Sequence, residues 1–197
     1  MITMEELQFA IKQRIDTYNN NDFPLKNRAI ISGDLLDSRN QILAQDVASP
    51  FDMPRQNVSA MDGYAIAQGS VLVEDTEIEI IGESQAGRAY TGNLSVGQGV
   101  RIFTGAVVPD DCDTVVMQEN TNFAEIKSTI DKSKPYTITL TQTAQIDNNI
   151  RKQGEEIESG ESVLSAGKRL NPTDISLLAN LGVSQVKVFR PLTIGIL

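Results

Sequence analysis

Ser59-Ala60-Met61-Asp62-Gly63-Tyr64-Ala65 sets an acid and a glycine inside small and apolar residues that would otherwise read as plain strand. Farther along, Arg101-Ile102-Phe103-Thr104-Gly105-Ala106-Val107-Val108-Pro109 repeats the device with a hydroxyl before the glycine, and leads into Thr114-Val115-Val116-Met117-Gln118-Glu119. A packed core does not need Asp62 beside Gly63. A place where backbone and carboxylate come close to a ligand does.

Outward from these phrases the chain reads as short strands and turns. Val71-Leu72-Val73, Ile78-Glu79-Ile80-Ile81, Gly99 to Phe103, Thr114 to Met117 and Tyr136 to Leu140 carry β-branched residues. Gly82, Gly87, Gly92, Gly97 and Gly105 punctuate them. The pattern predicts a compact β domain of barrel or sandwich character. Its near boundary is Ser49-Pro50-Phe51-Asp52-Met53-Pro54, where two close prolines forbid regular helix.

On the N-terminal side, Thr3-x-x-Glu6 is a capping box, followed by Leu7, Ala10, Ile11, Ile15 and Tyr18 at helical spacing. That helix should stop in Asn19-Asn20-Asn21, before Pro24. The stretch from Ile30 to Leu43 predicts a short helix or a pair of short elements, broken at Ser32-Gly33-Asp34. Beyond Ile146, Val163 to Leu170 reads as a hairpin. Asn171-Pro172-Thr173-Asp174 starts a helix that carries Ile175, Leu178 and Leu181 and stops at Gly182. Val186 to Phe189 is a strand. Leu192-Thr193-Ile194-Gly195-Ile196-Leu197 reads as a buried strand opening an α/β domain, so the chain is expected to be cut short there.

Composition narrows the chemistry. Among 197 residues, 40% are hydrophobic, enough for a core, yet no apolar run nears the ~20 residues that span a bilayer. The first residues show no basic-then-apolar signal pattern. A lone Cys112 excludes an internal disulfide framework and fits a reducing compartment, hence a cytoplasmic expectation. With no histidine, His-ligated zinc and Ser-His-Asp or Cys-His catalysis are excluded. Carboxylates, hydroxyls, backbone amides, Lys or Arg must carry any chemistry. A net charge of −9 argues against a nucleic-acid surface. No membrane partner is expected.

The two phrases, with Asp113 to Glu119, the run Asn149-Ile150-Arg151-Lys152-Gln153-Gly154-Glu155-Glu156-Ile157, Leu178 to Val183 and Ile42 to Pro50, resemble the molybdopterin molybdenumtransferase family. This is the MoeA family, which includes the gephyrin E domain, and the resemblance follows its N-terminal half in the family's order. It implies a mainly β fold with a few helices, built of coiled and bifurcated sheets around an inserted barrel-like β domain. The implied divisions are an N-terminal helix over 1–25 and a discontinuous linker domain over 26–52 and 146–191. The inserted β domain covers 53–145, and 192–197 form the first strand of a missing pterin-binding domain. It implies molybdenum cofactor biosynthesis: transfer of molybdate onto adenylated molybdopterin with release of AMP and use of Mg²⁺. Family members are homodimers in which this β domain faces the pterin-binding domain of the neighbouring subunit. The chain alone is expected to dimerise without full turnover.

Carried over residue by residue, the resemblance implies catalytic roles for Asp62, Thr104 and Glu156, with Gly63 and Gly105 at the bound cofactor. Asp62 is the candidate Mg²⁺ ligand, because every participant in the reaction is anionic. By pattern alone Asp62 reads more readily as a turn cap, and Thr104 equally as a strand-end bulge. Thr104 offers a hydroxyl to an oxyanion. Glu156 stands where the family usually has Asp, and Asn40-Gln41 where it usually has Gly-Arg. Arg101 should point away from Thr104 and is a minor candidate. Arg151 and Lys152 read as a solvated face. Acids beside Cys112 should raise its thiol pKa and leave it unreactive. Dispersed methionines read as core filling. A second reading is a non-catalytic dimerisation or scaffold module. A third, a carbohydrate- or peptide-binding domain, would want more aromatics than 5%.

Overall fold

The structure, a computed structural model, describes residues 2–20, 29–69, 71–131 and 133–191. The chain runs through α1 (Met4–Asn20), β1 (Ile30–Asp34), a 3₁₀ turn (Leu36–Ser38), β2 (Val47–Ala48), β3 (Val58–Ser59) and β4 (Gly63–Ala67). It continues with β5 (Glu77–Ser84), β6 (Gln98–Ile102), β7 (Thr114–Met117), a 3₁₀ turn (Gln118–Asn120), α2 (Phe123–Ile126) and β8 (Tyr136–Thr139). Last come β9 (Ile150–Arg151), β10 (Ser162–Leu164), α3 (Pro172–Asn180) and β11 (Gln185–Phe189). It divides into two units, residues 1–50 with 160–197, and residues 51–159.

In the first unit the capping box forms as read: the Thr3 N–H donates to Glu6 Oε2 at 2.8 Å and the Glu6 N–H to Thr3 Oγ1 at 3.2 Å. Leu7, Phe9 and Ile11 of α1 remain exposed. Of the two forms expected for Ile30 to Leu43 the structure shows the pair of short elements, strand β1 and the 3₁₀ turn Leu36–Ser38, with Ser32-Gly33-Asp34 inside the strand rather than between them. β1 pairs antiparallel with β11, from Ile30↔Phe189 to Asp34↔Gln185. Pairing with a distant strand overrode the local pattern. The expected hairpin of 163–170 also differs. β10 pairs with β2, and Arg169 bridges Ile42, so both arms lie along residues 42–48 rather than on each other. Leu35, Leu43, Leu164, Leu170, Leu178 and Val188 form the core. α3 begins as predicted: the Asp174 N–H donates to Asn171 Oδ1 at 3.0 Å, and the Asn171 N–H returns to Asp174 Oδ2 at 2.9 Å. Asn40, where the resembled family has Gly, adopts φ 68°, a left-handed conformation that Asn tolerates.

The second unit centres on a sheet of five strands in the order β7-β4-β6-β5-β8. β5 and β6 are parallel, and the other neighbours antiparallel. The sheet is not closed into a barrel. No ladder joins β7 to β8; a single bridge, Thr121↔Leu140, draws the two edges together beyond the strand ends. Every residue of β4 is buried, since each face of the sheet carries its own core. Tyr64 and Ile66 point into one with Ile78, Ile80 and Ile138, and Ala65 and Ala67 into the other with Val100, Ile102 and Val115. Val71–Val73, expected as a strand, is reduced to one bridge from Leu72 to Ala144.

The unit boundaries lie at 50/51 and 159/160, whereas the sequence reading placed them at 52/53 and 145/146. The return boundary moves because β9 pairs with β3 and Met53 bridges Ile157, which binds residues 146–159 to the β unit. Residues 21–25 of the expected helical segment and the strand expected at 192–197 lie outside the described residues.

Candidate active site

Register brings the two phrases together. β4 and β6 run antiparallel with Gly63 opposite Ile102, so the residue before β4 meets the residues after β6. Asp62 and Thr104, 42 positions apart, therefore touch. The Thr104 N–H and its hydroxyl both donate to Asp62 Oδ1, at 2.8 Å each. Both residues are exposed. Among the described residues no donor reaches Oδ2, which leaves that oxygen for a cation or a substrate proton.

The loop holding Asp62 is fastened from several sides. The Ser59 N–H donates to Ala106 O at 2.9 Å, and the Gly105 N–H to Ser59 O at 2.8 Å. Buried Ser59 also donates its hydroxyl to Met61 O at 2.6 Å. The Ala60 N–H donates to Asn149 O at 2.8 Å, and the Gln118 N–H to Asp62 O at 3.2 Å. Thr104 and Gly105 are the middle residues of a turn closed by the Ala106 N–H on Phe103 O, 2.9 Å. Gly105 has φ +79°, and a Cβ there would meet nothing within 4 Å, so conformation alone explains this glycine. Gly63 is the opposite case. Its Cβ would lie 1.9 Å from Val116 O, so the glycine admits the neighbouring strand.

Electrostatics keep the carboxylate charged. The Thr104 N–H, then its hydroxyl, hold the Asp62 carboxyl below the ordinary carboxylate range; slight burial opposes them and the Arg101 charge assists. The arrangement is an ionised carboxylate oriented by a hydroxyl and an amide on one oxygen. Thr104 spends its proton on Asp62, so toward a ligand its hydroxyl offers lone pairs.

Glu156 is not part of this pair. Its carboxylate accepts from Arg151, and its N–H donates to Met53 O at 2.8 Å. Lys152 pairs with Asp147, so the two cations read as a solvated face are both engaged. Arg101, the minor candidate, donates from Nη2 to Gln118 Oε1 at 2.6 Å, and its charge bears on Asp62. Gln118 and Ser59 are the positioning residues that the sequence reading passed over. Both lie within the quoted phrases, and Gln118, a long polar residue closing an apolar strand, was the available signal. Among the described residues no group of three or more Cys, Asp or Glu side chains forms a ready metal cage.

Residues 2–182 match the family described as the MoeA N-terminal region, domains I and II. The chain belongs to that family. A molybdopterin molybdenumtransferase of Haemophilus influenzae is 36% identical over 197 residues, covering all of this chain and 44% of the relative. One of Staphylococcus epidermidis is 34% identical over 192 residues, covering 95% of this chain and 43% of the relative. The crystal structure of the molybdopterin biosynthesis MoeA protein from Pyrococcus horikoshii OT3 superposes with a TM-score of 0.70 at 27% identity, over 82% of this chain and 41% of that one. The fold is thus the MoeA-like arrangement that the resemblance implied, without barrel closure. This MoeA N-terminal region spans under half the length of those relatives. Among its described residues no helix is long and apolar enough to cross a membrane.

Proposed function

We propose that this chain is the N-terminal part of a molybdenum insertase, an enzyme that places molybdate on adenylated molybdopterin and releases AMP. One observation carries the reading: the two family phrases converge on an ionised Asp62 whose Oδ1 is held by Thr104. The substrates are all anions, so a lone carboxylate among them acts through a cation or a water rather than by direct contact.

Mg²⁺ suits that role. It keeps much of its water and commonly binds through one or two protein carboxylates together with substrate phosphate oxygens. Asp62 offers one such carboxylate, which fits an ion shared with the substrate rather than one in a protein cage. When bound, the ion supplies charge neutralisation and polarisation of the phosphate. Thr104 keeps Asp62 ionised and oriented. Gln118 and Ser59 hold the loop in place, and Gly105 allows the turn that aims the Thr104 N–H. Glu156 belongs to the proposed site by its place in the family phrase, poised on its Arg151 partner.

A homodimer completes the reading, with the pterin-binding domain of the neighbouring subunit set against the β unit. The exposed apolar residues Met4, Leu7 and Ile11, at helical spacing on α1, support an intermolecular contact.

The test is molybdate insertion, with AMP release, by the protein that contains this chain. Asp62→Ala should abolish both while leaving the oligomeric state unchanged. Full insertion by that variant would overturn the reading and leave a scaffold module.

A further inference from the structure

A second concave feature of the β unit lies apart from the Asp62 pair. A cavity of about 370 Å³ opens between β5, β6, β8 and the segment around α2, and neither Asp62, Thr104 nor Glu156 lines it. Its size falls within the ordinary range of small-molecule pockets. Its charge runs against the chain's. Arg101, Lys127 and Lys134 line it against one carboxylate, Glu83, in a protein of net charge −9. Lys134 also lies 3.5 Å from Asp131 on the exposed rim, and Glu83 accepts from Gln85. Phe123 and Tyr136 supply apolar wall.

The inner end of the cavity is chemically unusual. The Arg101 guanidinium lies 5.0 Å from the ring centres of Tyr64 and Phe123 and 5.2 Å from that of Phe103. Its Nη2 is used by Gln118, but Nη1 is buried and finds no hydrogen-bond partner among the described residues. The hydroxyl of fully buried Tyr64 sits beside it, within reach of Tyr136 and Arg101. Burial raises the Tyr64 pKa, while hydrogen bonding with Tyr136 and the Arg101 charge oppose the rise. Buried polar groups without partners are exceptions in folded proteins, and here one belongs to the guanidinium at the inner end of a cationic cavity. A guanidinium packed among rings, away from bulk water, attracts an anion more strongly than an exposed one.

We propose that this cavity is a binding site for a small organic phosphate monoester, its doubly charged head between Arg101, Lys127 and Lys134 and its apolar body against Phe123 and Tyr136. Three lining cations against Glu83, with Asp131 beside Lys134 on the rim, leave an excess of positive charge for a phosphate. The aromatic wall selects a ligand that carries more than the phosphate.

The experiment is titration calorimetry of the protein with phenyl phosphate and, separately, inorganic phosphate. The expected result is saturable one-to-one binding of phenyl phosphate, with inorganic phosphate at least about tenfold weaker because it lacks the ring. Lys127→Glu combined with Lys134→Glu, both on the exposed rim and compatible with folding, should weaken phenyl phosphate at least about tenfold. Arg101→Lys, checked for folding by circular dichroism, should weaken it further by losing the planar fork. Absence of saturable heat with phenyl phosphate, or equal binding by the charge-reversed variant, would overturn the site. Equal affinity for inorganic phosphate would overturn the organic class of ligand. None of these readouts depends on insertase activity, so the proposed function stands or falls separately.

Discussion

Asp62 Oδ1 accepts two hydrogen bonds from one residue, the N–H and the hydroxyl of Thr104, both at 2.8 Å. A single neighbour thus sets both the charge of the carboxylate and its direction. The amide holds the base of the contact, and the hydroxyl fixes the rotation of the carboxyl group.

Removing the hydroxyl should therefore misdirect the carboxylate without breaking the fold. Thr104→Val is expected to lower insertion about 10–100-fold, the usual cost of losing a residue that orients a metal-binding or catalytic group. Thr104→Ser, which keeps both donors, should restore most of it. The thermal midpoint of both variants should stay within a few degrees of wild type.

The same contact predicts a titration. Because the folded-state pKa of Asp62 is depressed, its stabilising contribution is complete above the ordinary carboxylate value of about 3.9. It is lost as pH falls through the depressed value. In Thr104→Val the Asp62 pKa should move up toward ordinary, but not all the way, since the N–H is the larger cause. Carboxyl carbon NMR against pH reads this directly. An unchanged titration would show that the hydroxyl does not bond the carboxylate in solution.

The two site glycines should fail differently. Gly63→Ala drives a methyl to 1.9 Å from Val116 O, main chain that has nowhere to move between two packed faces. A loss of about 3 kcal/mol or more is expected. Gly105→Ala meets no atom and carries only the left-handed backbone, roughly 1–2 kcal/mol. Denaturant unfolding of the pair distinguishes steric from conformational cost.

Glu156 tests function against surface pairing. Its ion pair with Arg151 is exposed on both sides and should contribute under about 1 kcal/mol. Glu156→Ala is expected to leave the unfolding midpoint nearly unchanged and to lower insertion about tenfold, the lower end of what loss of an orienting partner costs. Unaltered insertion would remove Glu156 from the site.

Cys112 should be inert in the folded protein. Burial first, then Asp113 and Asp111, pushes its thiol up to about 12, so almost no thiolate exists near neutral pH. Iodoacetamide should label it only after denaturation. Rapid labelling of native protein at pH 7.5 would contradict the burial of this thiol.

Local chemistry determined a good part of this protein from sequence alone. Thr3 with Glu6 and Asn171 with Asp174 close their capping boxes within four residues, so both helix starts were legible. The β texture after Pro54 and the chemical interest of Asp62 and Thr104 were legible for the same reason: residue type and immediate neighbours suffice. Tertiary structure decided what depends on register. Ile30–Asp34 became a strand only because β11 supplied a partner from the far end of the chain. Residues 146–159 joined the β unit only because Ile150-Arg151 pairs with Val58-Ser59. The need for Gly63 comes from Val116, and the packing of Arg101 among rings draws on Tyr64 and Phe123, which lie far from it in the sequence. The meeting of Asp62 with Thr104 follows from the Gly63↔Ile102 pairing. A slip of one residue there would have turned the whole strand over and separated the two side chains, because side chains alternate across a strand and only the packed sheet chooses which set faces which.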